Sequence, residues 1–202
     1  MEPVIRLEDF RKTYRNGSLE VHAALQVQVR GPGLAGHVHD LQHHLVAAPA
    51  GGGVEGEALA VEVDAMRKRL EEHPDAVAIH VTNPNYYGYL SDIERLVQLA
   101  HAHDIPLLVD EAHGAHLRFH PDLPASAIGL GADAVVQSPH KTLGAITQAA
   151  WLHLSGRRIP FTNLQYLVAI LQSSSPNVIL TGSLDVARRL MALHGRELLD
   201  RT

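Results

Sequence analysis

The sequence predicts an α/β fold, a mostly parallel β-sheet with helices on both faces. Three observations lead there. Short apolar runs recur at residues 77–81, 105–109, 133–137 and 149–154, each with the length and composition of a buried strand. From residue 77 onward the order reads β-α-β-α-β, which crossover connections turn into parallel neighbours. Two of the runs end by delivering ionisable residues, and the carboxyl ends of strands are where ligands sit in an open α/β sheet. The first of these is Leu107-Leu108-Val109-Asp110-Glu111-Ala112-His113, and the second is Val135-Val136-Gln137-Ser138-Pro139-His140-Lys141. One strand end presents an acid, Asp110, and the other an amine, Lys141.

The totals suit a soluble globular chain. With 202 residues, 46% hydrophobic and 19% charged, it can bury a sizeable core. A net charge of −5 gives no reason to expect nucleic acid or an anionic membrane surface as a partner. The absence of cysteine excludes disulfides, thiolate zinc sites and cysteine catalysis. The apolar runs are too short to span a bilayer, and the acidic start is unlike a signal peptide. A cytoplasmic protein without a membrane partner is expected.

Residues 4–25 read as a short strand, a charged stretch, an Asn16-Gly17 turn and a second strand, which is a hairpin pattern. This piece resembles the opening of ABC-transporter ATPase domains, with Tyr14 where their adenine-stacking aromatic lies. The GxxxxGK[ST] phosphate loop that such a domain needs occurs nowhere in the chain. Residues 26–56 show no clean period and carry glycine, proline and several histidines, so an irregular segment is expected. His37, His39, His43 and His44 have imidazoles that suit zinc or nickel, but only Asp40 stands beside them, and a solvated segment is the favoured reading. Two parts result: a leader, 1–56, unrelated or poorly structured, and a folded part, 57–202.

In the second part, residues 63–72 set Val63, Met66 and Leu70 on one helical face, and Pro74 ends that helix. After the strand at 77–81 comes a turn-rich loop, TNPNYYG at 82–88. Ser91-Asp92-Ile93-Glu94 has the spacing of a capping box and opens a helix with Ile93, Leu96, Val97 and Ala100 on one face. Between Pro121-Pro124 and Gly129-Gly131 a short helical piece is expected. Residues 161–172 and 183–199 have helical period, the second with Leu184, Ala187, Leu190, Met191 and Leu198 as its inner face.

An aldehyde cofactor such as pyridoxal phosphate needs a lysine to hold it as a Schiff base. It also needs a carboxylate to keep its ring nitrogen protonated. Lys141 and Asp110 are those residue types at adjacent strand ends. Ser138 and His140 flank the lysine within reach of phosphate oxygens, and His113 lies in the turn that leaves the Asp110 strand.

Four stretches carry a resemblance: TNPNYYG (82–88), LLVDEAHGAHLRFHPDLP (107–124), GADAVVQSPHKTLGAITQAAWLH (131–153) and LQSSSPNVILTGSLDVARR (171–189). In letters, order and spacing they resemble the major domain of bacterial Orn/Lys/Arg decarboxylases. These are pyridoxal-phosphate enzymes of the aspartate aminotransferase fold (fold type I). The resemblance implies that Lys141 forms the Schiff base and Asp110 pairs with the pyridinium nitrogen. It places His113 near the cofactor and the substrate carboxylate, Ser138 and His140 on the phosphate side, and Thr82 and Tyr87 at the edge of the pocket. The implied reaction is loss of the α-carboxylate from ornithine, lysine or arginine. The SSSP run at 173–176 lies where the family meets its dimer partner, so a homodimer is implied.

The family's glycine-rich phosphate turn and ring-stacking histidine precede TNPNYYG, and residues 1–56 match neither. The small domain that follows in the family has no counterpart here. The resemblance therefore implies a partial large domain behind an unrelated leader, with independent activity impaired by truncation. A decayed gene, a misjoined frame and a piece that needs a partner all remain open. Two other classes compete. The chain can be a non-catalytic subunit that keeps the core for association. Asp110-Glu111-Ala112-His113 also spells the DEAH signature of helicase ATPases, a reading weakened by the missing phosphate loop. His113, His116 and His120 have a metal-like spacing, but the cofactor reading already accounts for the stretch and no metal is expected.

Overall fold

The structure, a computed structural model, describes residues 60–201 and, earlier in the chain, the backbone of five short strands. The chain divides into two units, Met1–Leu45 and Val46–Thr202. In the first, β1 (Ile5–Arg6) pairs antiparallel with β4 (Gln28–Val29). There too, β2 (Lys12–Asn16) pairs antiparallel with β3 (Leu19–Ala23) as the expected hairpin, but Asn16 is itself paired, opposite Leu19, so the reversal falls one position later than the Asn16-Gly17 turn the sequence suggested. Of the segment 26–56, read as irregular, the structure describes only β4 and β5 (Leu45–Ala47). His37, His39, His43 and His44 lie outside the described residues, and the side chain of Tyr14 does too.

The larger sheet has the order β5-β6-β7-β8-β9, with β6 (Ala78–Thr82), β7 (Leu107–Asp110), β8 (Ala134–Gln137) and β9 (Trp151–Leu154). β6, β7 and β8 are parallel, and β9 runs antiparallel to β8. Between β8 and β9 lies only a one-turn helix, α3 (Pro139–Thr142), rather than the crossover helix that usually joins parallel strands.

Side-chain alternation gives the sheet two unlike faces. Ile79, Val81, Leu107, Val109 and Val135 point to one side and are fully buried, joined by Met66 and Leu70 from α1 (Val63–Glu72) and by Ile93, Leu96 and Val97 from α2 (Ile93–Ala102). On the other side lies α4 (Phe161–Leu171), none of whose residues is fully buried. The same strand shows the contrast: Val135 is 1% exposed and its neighbour Val136 is 40% exposed. α5 (Val178–Leu199) packs on the 3-10 turn Leu117–Phe119, where a Cβ on Gly195 would come within 3.0 Å of Phe119 Cβ.

At the amino-terminal end of the sheet the buried Asp133 carboxylate accepts from the Leu107 N–H at 2.9 Å and lies 2.8 Å from His101 Nε2 on α2. Arg158 approaches its other oxygen at 3.6 Å.

Several local expectations need correction. Asp92, not Ser91, caps α2: its side chain accepts from the Arg95 N–H at 3.1 Å, while Ser91 Oγ accepts from the Val61 N–H at 2.8 Å. A second contact therefore takes the hydroxyl that the capping-box spacing reserved. α5 begins at Val178 rather than at residue 183, because Asn177 accepts from the Ile179 and Leu180 N–H groups. Its buried stripe is Ala187, Met191 and Gly195; Leu190 stands off that stripe and is 44% exposed. The stretch between Pro124 and Gly129 forms hydrogen-bonded turns rather than a helix, since Ser126 and Ala127 turn their donors toward Glu111.

Leu96 sits at the centre of the core with no exposed surface. Leu96→Ala should lower unfolding free energy by about 2–5 kcal/mol, read as a lower urea midpoint at unchanged slope.

Candidate active site

The strand ends place the expected residues from the register upward. Thr82 ends β6, and it lies opposite Asp110 at the end of β7, which in turn lies opposite Val136 of β8. Asp110 Oδ1 accepts from the Ala112 N–H at 3.0 Å, so the turn after β7 fixes one carboxylate oxygen and leaves the other unused. Ser138 follows β8 directly, and Pro139 starts α3. Lys141 is carried on that single turn, its N–H bonded to the Ser138 carbonyl at 3.0 Å. Its side chain is exposed and makes no hydrogen bond or ion pair among the described residues.

Asp110, Ser138 and Lys141 open onto one cavity of about 670 Å³ between the sheet and α4. The cavity has an apolar wall, with Leu108, Val136 and Leu152 on the sheet side. His113 stands beside this group. Its ring meets Tyr86 edge-on at 5.8 Å, and its Nδ1 is buried without a partner. Burial lowers its pKa, the Lys141 charge lowers it further, and the Asp110 charge opposes both. These three groups therefore share one electrostatic field.

The other expected residues are placed less centrally. Thr82 is exposed at its strand end and does not line the cavity, and neither does His140, whose Nδ1 lies 3.4 Å from the Ala149 carbonyl. Tyr87 is 65% exposed.

The competing sites fare differently. Glu111, the second acid of the DEAH reading, has no exposed surface and accepts from Ser126, Ala127 and Gln137. With both oxygens committed it is closed to magnesium and water. His120 lies 2.8 Å from Asp200, and among the described residues no group of three or more His, Asp or Glu could hold a metal ion. Sequence reading also missed the Glu111–Gln137 contact. The available signal was Gln137, a polar residue ending an apolar strand.

Residues 50–202 match the family model for the Orn/Lys/Arg decarboxylase major domain. The chain belongs to that family. It is 42% identical over 147 residues to an arginine decarboxylase of Bacillus anthracis, a match covering 73% of this chain and 30% of that protein. An arginine decarboxylase of Bacillus subtilis is 40% identical over 147 residues, with the same 73% and 30% coverage. The uncharacterized protein YaaO of Bacillus subtilis is 46% identical over 129 residues, covering 63% of this chain and 27% of its own. The chain thus spans about three-tenths of the length of the first two decarboxylases. Among solved structures it resembles a pyridoxamine-pyruvate aminotransferase from Mesorhizobium loti, with a TM-score of 0.52 and 22% identity over 69% of this chain and 39% of the other. It also resembles SPT with a PLP internal aldimine, with a TM-score of 0.51 and 22% identity over 73% and 40% of the two chains. These likenesses establish the fold, fold type I, for this family member.

A group carrying an aldehyde, a ring nitrogen and a phosphate fits the donor set of this site. Lys141 offers an unpartnered amine, Asp110 an unused carboxylate oxygen, Ser138 a hydroxyl in the same cavity, and His113 an unpartnered buried nitrogen.

His113, His116 and His153 all have their pKa lowered from the ordinary 6.5, chiefly by burial. The unfolded chain takes up these protons first as pH falls, so their contribution to stability is complete above 6.5 and lost below it. Burial raises Glu111 from its ordinary 4.5, which acts in the opposite sense. The comparison that isolates the histidine effect is between the parent and His116→Gln. From about pH 7.5 to about pH 5.5 the urea midpoint should fall more in the parent than in the variant. Equal falls would show that His116 does not titrate differently on folding.

Proposed function

We propose that this chain carries the cofactor site of a pyridoxal-phosphate-dependent decarboxylase acting on a basic amino acid. The observation that carries the proposal is the placement of Asp110 and Lys141, from adjacent strand ends, on one apolar-walled cavity. Arginine is the leading substrate among arginine, ornithine and lysine, because it is the one named for the relatives.

In this reading Lys141 holds the aldehyde carbon covalently. Asp110 holds a proton at the ring nitrogen, and Ser138 donates to a phosphate oxygen, with His140 and Thr82 at the margin. Bound pyridoxal phosphate supplies an electron sink for the bond that releases the carboxylate. Burial lowers the pKa of His113 and so favours its neutral form. A neutral imidazole beside the substrate carboxylate gives that anion no ion pair to hold it back. Leu108, Val136 and Leu152 give the cavity an apolar wall, and less polar surroundings favour a step in which an anion becomes neutral carbon dioxide.

A second reading has its own support. Phe161 and Tyr166 on α4 and Val178, Ile179, Val186 and Leu193 on α5 are exposed. Apolar surface of that kind suits a chain that works in an assembly, either as a homodimer or as a non-catalytic subunit.

One experiment separates the two. The purified chain is incubated with pyridoxal phosphate beside Lys141→Ala, and a band at the visible edge, present in the parent and lost in the variant, is the expected result. Carbon dioxide release from arginine, ornithine and lysine should then be measured. Identical spectra for parent and variant would remove the cofactor-site reading and leave the non-catalytic one.

A further inference from the structure

Consecutive strand residues face opposite ways, so each site residue here has a neighbour pointing away from the cavity. Behind Asp110 is Glu111, and before Ser138 is Gln137; both are fully buried. Glu111 Oε1 accepts from the Ala127 N–H at 2.7 Å. Its Oε2 accepts from Ser126 Oγ at 2.7 Å and from Gln137 Nε2 at 2.6 Å. With the Gln137 amide nitrogen donating to Glu111, its oxygen faces the ring of His153 on β9, which donates from Nε2 at 3.0 Å. The Glu111 N–H meanwhile donates to the Val136 carbonyl at 2.8 Å. The ends of β7 and β8 and one loop thus meet at a single carboxylate, each of its oxygens matched to a donor, and β9 is linked to it through Gln137.

We propose that Glu111 and Gln137 are positioning residues that hold Asp110 and Lys141 in mutual register, with His153 fixing which way the Gln137 amide faces. The covalent geometry supports this. Glu111 is bonded directly to Asp110, and Gln137 to Ser138, from which α3 carries Lys141 outward. A slip of one residue between β7 and β8 would turn Asp110 out of the cavity and bring Glu111 in. Such a slip would leave a carboxylate facing an amide and a backbone N–H without partners in a dry site, a steep cost that only one register avoids. The proposal takes Lys141 and Asp110 as the cofactor-holding pair, but its first test needs no cofactor.

The full chain, without pyridoxal phosphate, is treated with limiting acetic anhydride. The acetylation rate of Lys141 is measured relative to Lys68, an exposed lysine on α1 that serves as internal reference. E111Q and Q137E each break one donor–acceptor match, whereas the paired exchange E111Q with Q137E restores the match with the amide and carboxylate traded. Each single variant should shift the Lys141-to-Lys68 ratio by roughly three-fold, through altered distances to the charges around it, and the exchange should return it to the parental value. Single variants with the parental ratio would overturn the proposal, and so would an exchange as far displaced as either single. If the single variants do not fold, the exchange decides alone. Folded with the parental ratio it supports positioning; unfolded, it makes the network a folding element and overturns it. In a second arm, the visible-edge band with pyridoxal phosphate should weaken in the singles and recover in the exchange. A parent that lacks the band would count against the cofactor reading while leaving the acetylation result to stand on its own.

Discussion

The period-two alternation of β7 and β8 is the constraint on which the rest depends. It sends Leu107, Val109 and Val135 into the core against α1 and α2, and by the same parity it sends Leu108, Asp110 and Val136 into the cavity. Hydrophobic burial fixes the first set, because one residue of slip would expose it. The chemistry of the second set is thereby placed without any energy of its own being spent on it. A solvated acid and an unpartnered amine contribute little to stability, and they keep their positions because their neighbours cannot move.

Much of the arrangement was legible in the sequence, for reasons that differ from element to element. The apolar runs at β6, β7 and β8 announce strands buried on a face, and the Ile93–Ala102 helix announces its stripe through Ile93, Leu96, Val97 and Ala100. The shared placement of Asp110 and Lys141 on one cavity was legible because both follow apolar strands of the same sheet. What failed to show was competition among nearby side chains for the same donors. Ser91 fits a capping pattern but is drawn to Val61, and Asp92 takes the cap. Ser126 sits where a helix was expected, and a distant carboxylate claims its hydroxyl. Contacts between residues far apart in sequence leave no local period to read. The same holds for Glu111, whose side-chain partners come from two other segments, the Ser126-Ala127 loop and β8.

Family membership and geometry bear on different questions. The match over residues 50–202 establishes descent and fold type. It does not say why Glu111 should follow Asp110, and the hydrogen bonds do. The acid that faces the cavity and the acid that faces away have opposite surroundings although they are adjacent in the chain. Asp110 keeps an oxygen open, whereas Glu111 has none to spare. Adjacent carboxylates thus have different surroundings, one open to the cavity and one enclosed by donors.

The Asp133 carboxylate at the far end of the sheet bears on how this domain moves. Leu107, the first residue of β7, gives its N–H to that buried anion rather than to a neighbouring strand. A charge-assisted bond in a dry site opens only when the surrounding core opens with it. The amino-terminal end of the sheet is thereby tied twice, by its apolar packing and by this carboxylate, and it gives the strands a fixed base from which their carboxyl ends carry Asp110 and Ser138 to the cavity.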